Sequence, residues 1–296
     1  MTQIISPAHH SPAPVTNIHF ESISMNLIAL APTTLPNTPP IEYLAAASTA
    51  GYQAVGVRVN RSPGLPFHPV IGDATLMRDI KRFVSTSGIT VLDLYSFYLQ
   101  SDTRIEQFKP ALEFGAELGA KYAMVMGDDP DWARMRDNLA LFCELAMPLG
   151  LTAVLEFAIT RPLATLQQTT RLIAESGRIN AAVCLDPLNM LRGTGGPELL
   201  AGLDPRLFPY AQITDGVLGP GEPDLECARR NGPNVRRLPG EGDVPLGKFL
   251  DALPAGIPLS LEAPPPDRTD RTAAEWARLT LDTSRDYLAA YYEAKR

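Results

Sequence analysis

Apolar and polar positions along this chain follow two alternating periods. Short apolar runs such as ISMNLIAL, YQAVGVRV and ITVLDLYSF read as buried strands. Between them, apolar residues recur every three or four positions, the spacing of an amphipathic helix. IEYLAAASTAG and ATLMRDIKRFVSTSG are the first two such segments, and both stop on a glycine, Gly51 and Gly88, the residue favoured at a left-handed C-cap. The alternation then continues. Helix RIEQFKPALEFGAELG contains Pro110, which should kink or break it. Strand KYAMVMG, helix DWARMRDNLALFCELAMPLG, strand LTAVLEFA and helix LATLQQTTRLIAESG follow. Next come strand NAAVCLDP, a short helix at PELLAG, strand FPYAQITD, a long loop and helix PLGKFLDALP. Strand IPLSLEAP and helix TAAEWARLTLDTSRDYLAAYYEAK close the chain.

Eight strand–helix units of roughly 31 residues each predict a single α/β domain, a (β/α)8 TIM barrel over residues 22–296. An open doubly wound sheet would usually begin with a Gly-rich phosphate turn, and none follows the first strand. Residues 1–21, rich in Pro, Ser, Ala and His without any period, read as a flexible tail.

Four of the later strands share one design. Glu156 in VLEF, Asp186 in VCLDP, Gln212 in AQITD and Glu262 in SLEAP each place an oxygen-bearing side chain at a strand's C-terminal end. A carboxylate within an apolar strand is costly unless something pairs with it. In a barrel these ends converge on the catalytic face. The set therefore predicts one shared divalent cation, and all-oxygen donors favour Mg2+ or Mn2+ over Zn2+. The competing explanation is that each carboxylate caps the following helix or pairs with a nearby arginine.

Composition narrows the function classes. A net charge of -7 and a pI near 5.2 argue against a nucleic-acid surface, which needs a clustered basic face. No apolar run reaches the roughly 20 residues of a membrane span, and no Lys or Arg precedes Arg58, so a basic targeting start is missing. Three widely spaced cysteines without CxxC fit free thiols in a reducing cytoplasm.

On these residues the chain resembles the xylose-isomerase-like (sugar phosphate isomerase/epimerase) TIM-barrel superfamily, over about residues 23–290. That superfamily holds a divalent ion with Glu, Asp, His and Glu at the ends of strands five to eight. The resemblance puts Glu156, Asp186 and Glu262 at the carboxylate positions and Gln212 at the histidine position. Gln there is similar to the bacterial 3-dehydroshikimate dehydratases. RRLPGEGDVPL resembles the family's R-x-x-P-G-x-G segment and implies that Arg236 binds substrate; Asn189 stands where many relatives carry a substrate-contacting histidine. The DNA-repair endonucleases of this fold need several histidines, whereas all four here (His9, His10, His19 and His68) precede the third strand.

The implied chemistry is proton abstraction α to a carbonyl of a small polyhydroxylated substrate, with Glu156 and Glu262 as acid and base. The expectation is a lyase of the dehydroshikimate-dehydratase type; the alternatives are a ketose epimerase or isomerase, and a binding barrel without catalysis. His68 could overhang the mouth or be merely solvated, and Arg58, ending strand two, could bind an anionic substrate or form a salt bridge in the rim. Tyr95 and Tyr98 line the pocket or pack the core. Asp128 and Asp129 read as an N-cap for the fourth helix, and Asp215 as a residue that caps or orients the loop after Gln212. The tyrosines of the last helix give it an apolar side that could pack on the barrel or on another subunit.

Overall fold

The structure is a computed structural model that describes residues 26–193, 195–218, 236–266 and 269–296. The expected tail, with His9, His10 and His19, lies outside the described residues, as does Cys227.

Short apolar runs form the barrel strands β1 (Ile28–Leu30), β2 (Ala54–Arg58), β3 (Thr90–Leu99), β4 (Tyr122–Gly127), β5 (Thr152–Glu156), β6 (Ala181–Val183) and β7 (Ala211–Ile213). A two-residue ribbon, β8 (Asp215–Gly216) antiparallel to β9 (Arg236–Arg237), precedes the last barrel strand, β10 (Leu259–Leu261). The eight barrel strands are all parallel, in the order β6-β5-β4-β3-β2-β1-β10-β7. A parallel bridge from Leu185 to Ala211 joins the ends, and Gln212 N donates to Leu185 O at 2.7 Å. The ring thereby closes into the expected TIM barrel.

Because strand side chains alternate between faces, each strand serves two cores. Leu30, Val55, Val91, Leu94, Leu155 and Ile213 face the helical layer. Inside, Ala29, Ala54 and Ala182 leave room for Tyr95, Met124 and Tyr210. Gly56 belongs to the same economy: a Cβ there would lie 2.6 Å from Oδ1 of the buried Asp93.

The outer layer contains α1 (Pro40–Ala50), α2 (Ala74–Ser87), α3 (Lys109–Glu117), α4 (Trp132–Ala146), α5 (Leu166–Ser176), α6 (Pro187–Arg192), α7 (Leu246–Ala252) and α8 (Ala273–Glu293). Gly51 ends α1 with φ 93°, a backbone region that glycine enters without strain. Pro110 does break its helix: a 3-10 turn, Ile105–Phe108, leads into α3 with proline in the first turn. The cap of α4 is Asp131, which accepts from Arg134 N, rather than the expected Asp128 or Asp129. Those two instead pair with arginines, Asp128 with Arg161 and Asp129 with Arg134, each at 2.6 Å. PELLAG yields only a 3-10 turn, Pro197–Leu200, and the true sixth helix begins directly after Asp186. α8 returns to the start of the barrel, where Arg278 Nη1 donates to Ala50 O at 2.7 Å and Tyr52 meets Thr280 at 2.8 Å. Among the described residues no helix is long and apolar enough to cross a membrane.

Candidate active site

Glu156 is the last residue of β5, Gln212 the middle of β7, and Asp186 and Glu262 lie just past β6 and β10. Closure of the ring brings them together. One oxygen each from Glu156, Asp186 and Glu262 lies within 4.8 Å of the others, and all three residues are buried. Gln212 is buried too, and its Nε2 donates to Tyr95 Oη at 3.1 Å.

Each carboxylate is oriented by a neighbour. Asp186 is the N-cap of α6: one oxygen accepts from Asn189 N at 2.9 Å, so the helix-capping explanation holds for half of this group. Asn189 also donates through Nδ2 to Glu156 Oε1 at 2.9 Å, linking two strand ends. Thr34 brackets Glu262 through the backbone, with Oγ1 donating to Leu261 O at 2.7 Å and accepting from Ala263 N at 3.1 Å. Arg236 brings a guanidinium into contact with two of them. Its Nη1 lies 2.6 Å from Asp186 Oδ2 and its Nη2 3.6 Å from Glu262 Oε1.

Asp215 explains how Arg236 reaches that place. Its carboxylate accepts from the backbone N–H groups of Gly216, Gly240 and Val244 at 2.8–3.0 Å, so it holds both sides of the loop. Gly242 must be glycine for the same reason, since a Cβ there would come within 2.3 Å of Asp215 Oδ1. The pairing of β8 with β9 then sets Arg236 opposite Gly216.

The electrostatics are those of a site that wants a cation. Burial lifts the Glu156 carboxyl well above the usual range, and the charges of Glu262 and Asp186 lift it further. Burial also raises Glu262, against the lowering effect of Arg236. Burial disfavours the charge of Arg236, but Asp186, Glu262 and Glu156 more than offset this and hold it firmly protonated. With its carboxylates ionised, the cluster carries two negative charges beyond what Arg236 neutralises. Gln212 Oε1 and Glu262 Oε2 have no aligned hydrogen-bond donor despite burial. Buried acceptors are rarely left so. Oxygen donors, excess negative charge and unused lone pairs fit a divalent metal ion held by Glu156, Asp186, Gln212 and Glu262.

Above the cluster opens a cavity of about 570 Å3 lined in part by Tyr95, Tyr98, Arg161, Asn189, Arg236 and Glu262. Asn189 and Arg236 therefore stand at the cluster, and Tyr95 and Tyr98 in the cavity wall. His68 and Arg58 do not line this cavity. They border a smaller pocket of about 40 Å3 walled by Pro32, Pro36, Pro40 and Pro66. Arg58 Nη1 donates there to Pro36 O and Pro66 O, stapling two rim loops. His68 is exposed. Arg161 belongs to no motif in the sequence; it lies five residues beyond Glu156, stacks on Tyr98 at 5.1 Å and is ion-paired with Asp128. Its place just after a strand end was the available signal.

Known structures share this architecture. The zinc-bound IolI protein superposes with a TM-score of 0.73 at 22% identity, covering 90% of this chain and 99% of its own. A xylose isomerase domain protein from Alicyclobacillus acidocaldarius subsp. acidocaldarius gives 0.71 at 21%, covering 89% and 98%. D-psicose 3-epimerase from Clostridium cellulolyticum H10, solved with D-tagatose, gives 0.63 at 15%, covering 89% and 99%. Identities this low carry the fold alone. A sequence search of curated proteins finds no match. The model of the xylose isomerase-like TIM barrel family matches residues 44–280, most of the chain, and this protein belongs to that family.

Proposed function

We propose that the protein is a divalent-metal-dependent enzyme, using Mg2+ or Mn2+, that removes a proton α to a carbonyl of a polyhydroxylated small molecule and expels a β-hydroxyl as water. The observation that carries this reading is the convergence of three buried carboxylates within 4.8 Å, two of them glutamates, beneath a cavity that could hold a substrate. When bound, the cation would supply Lewis acidity at the carbonyl, making the α-proton easier to remove. Glu262, whose Oε2 has no aligned hydrogen-bond donor, takes that proton. Glu156, steadied by Asn189, returns a proton to the departing hydroxyl. Arg236 and Arg161 border the cavity and favour a substrate that carries a carboxylate, as 3-dehydroshikimate does. Gln212 favours dehydration over epimerisation, because a neutral amide offers no base for a second face.

The test is a substrate panel of 3-dehydroshikimate, keto-sugars and ketoses, run with Mn2+-loaded enzyme in D2O and read by mass spectrometry. The expected product is lighter by one water, with new near-ultraviolet absorbance, and Glu262→Gln should lose turnover. Deuterium in a product of otherwise unchanged mass would replace dehydration by epimerisation or isomerisation. Normal turnover by Glu262→Gln would contradict the role of the glutamates.

A further inference from the structure

We infer that Arg236 is the resident counter-cation of this site, and that a divalent ion enters by displacing its guanidinium from Asp186 and Glu262. This rests on the reading of the cluster as a metal site. Both oxygens of Asp186 are engaged, one by Asn189 N at 2.9 Å and the other by Arg236 Nη1 at 2.6 Å. Asp186 cannot become a ligand without giving up or sharing one of these partners. The Asn189 bond caps α6 and is built into the backbone. The Arg236 contact is a side-chain ion pair at 2.6 Å, which a swing of the arginine breaks without moving any backbone. It is therefore the partner that yields.

Why the arginine sits there at all follows from burial. Three carboxylates gathered in a barrel mouth repel one another, and ions out of water need an opposite charge close by. Arg236 is nearly as buried as they are, with 9% of its side chain exposed, and the loop braced by Asp215 delivers it to that place. Without an ion it keeps the carboxylates from facing only each other. With an ion it becomes a positive charge next to a dication, and repulsion drives it toward the cavity that it already borders. Released, its planar fork is free for a carboxylate of the substrate. Metal uptake would thus prepare the anion site, and binding would be ordered, ion before substrate.

A rival role is a brace: an arginine that stays on Asp186 and improves metal binding by holding the ligand in place. The two roles predict opposite signs. The full-length protein, stripped with chelator and dialysed, is titrated with Mn2+ at pH 8, and free Mn2+ is read by electron paramagnetic resonance. Arg236→Ala and the bulkier neutral Arg236→Gln should each bind one Mn2+ at least about tenfold more tightly than wild type, the direction that removing a nearby like charge dictates. Arg206→Ala, an exposed arginine paired with Asp204, should leave the affinity unchanged. Mn2+ bound by the variants and not by wild type would support the displacement. Equal or weaker binding by both Arg236 variants, with wild type binding normally, would overturn this inference and leave the metal site standing. Tightening of the same size in Arg206→Ala would also overturn it, since net charge would then explain the gain. No Mn2+ bound by any of the proteins would overturn the inference and the metal site together.

Discussion

Asp93 is a buried acid beneath the site. It lies mid-strand in β3, fully buried, with Tyr210 Oη donating to Oδ2 at 2.6 Å and no donor reaching Oδ1. Burial raises its pKa from an ordinary 3.8 to about 7, against the lowering effect of the Tyr210 hydrogen bond. The folded protein therefore holds a proton that the unfolded chain releases near pH 4. Stability should fall as pH rises from about 4 to about 7 and then level off. At 1.36 kcal/mol per unit, the whole window amounts to up to about 4 kcal/mol. Asp93→Asn keeps an acceptor for Tyr210 and removes the titration. Urea unfolding should find the variant more stable than wild type at pH 8, with the two converging toward pH 4. Parallel pH profiles would show that Asp93 is ionised in the fold. Its position hides this residue in the sequence. Glu156, Asp186, Gln212 and Glu262 stood out because each precedes a loop, whereas Asp93 is followed by more strand. Only the closed ring reveals that Tyr210 faces it.

At the scale of elements, close packing of α3 on β3 depends on one small residue. A Cβ on Gly115 would come within 2.1 Å of Leu94 Cδ1, inside any permitted contact. Leu94 points out of the barrel into the helical layer, so α3 must lift or the leucine must leave its rotamer. Gly115→Ala should cost about 1–3 kcal/mol by overpacking, despite alanine's better helix propensity. Chemical denaturation measures this, and a variant as stable as wild type would mean that α3 is more loosely seated. Helix ends were legible where a single residue dictates them: Gly51, Gly88 and Pro110 all fell as expected. α6 is hidden in the sequence, because Asp186-Pro187 has the pattern of a strand end. The same two residues are an N-cap followed by proline at the first helical position. One aspartate serves both roles, with one oxygen for each. Arg236 shows another limit. The sequence implied a substrate contact, while the fold sets it on the carboxylates through a brace, Asp215, whose three backbone partners lie up to 29 residues away.

For the whole molecule, alternation of strands and helices was enough to predict a barrel, since eight units have few other ways to bury every strand on both faces. The closure itself was not visible: the Leu185–Ala211 bridge joins two strands whose flanking sequences carry no mark of pairing. Closure turns four separate strand ends into one site, and it gathers three carboxylates, whose charges when ionised stand together, at the mouth of a chain with a net charge of -7. On the proposed reading, those charges hold one dication. Crystals grown with Mn2+ and measured at a wavelength where manganese scatters anomalously test it most directly. The expected map has one strong anomalous peak per chain, about 2.0–2.3 Å from oxygens of Glu156, Asp186, Gln212 and Glu262. A map with Arg236 still on Asp186 and Glu262, and no peak among the four residues at saturating Mn2+, would contradict it.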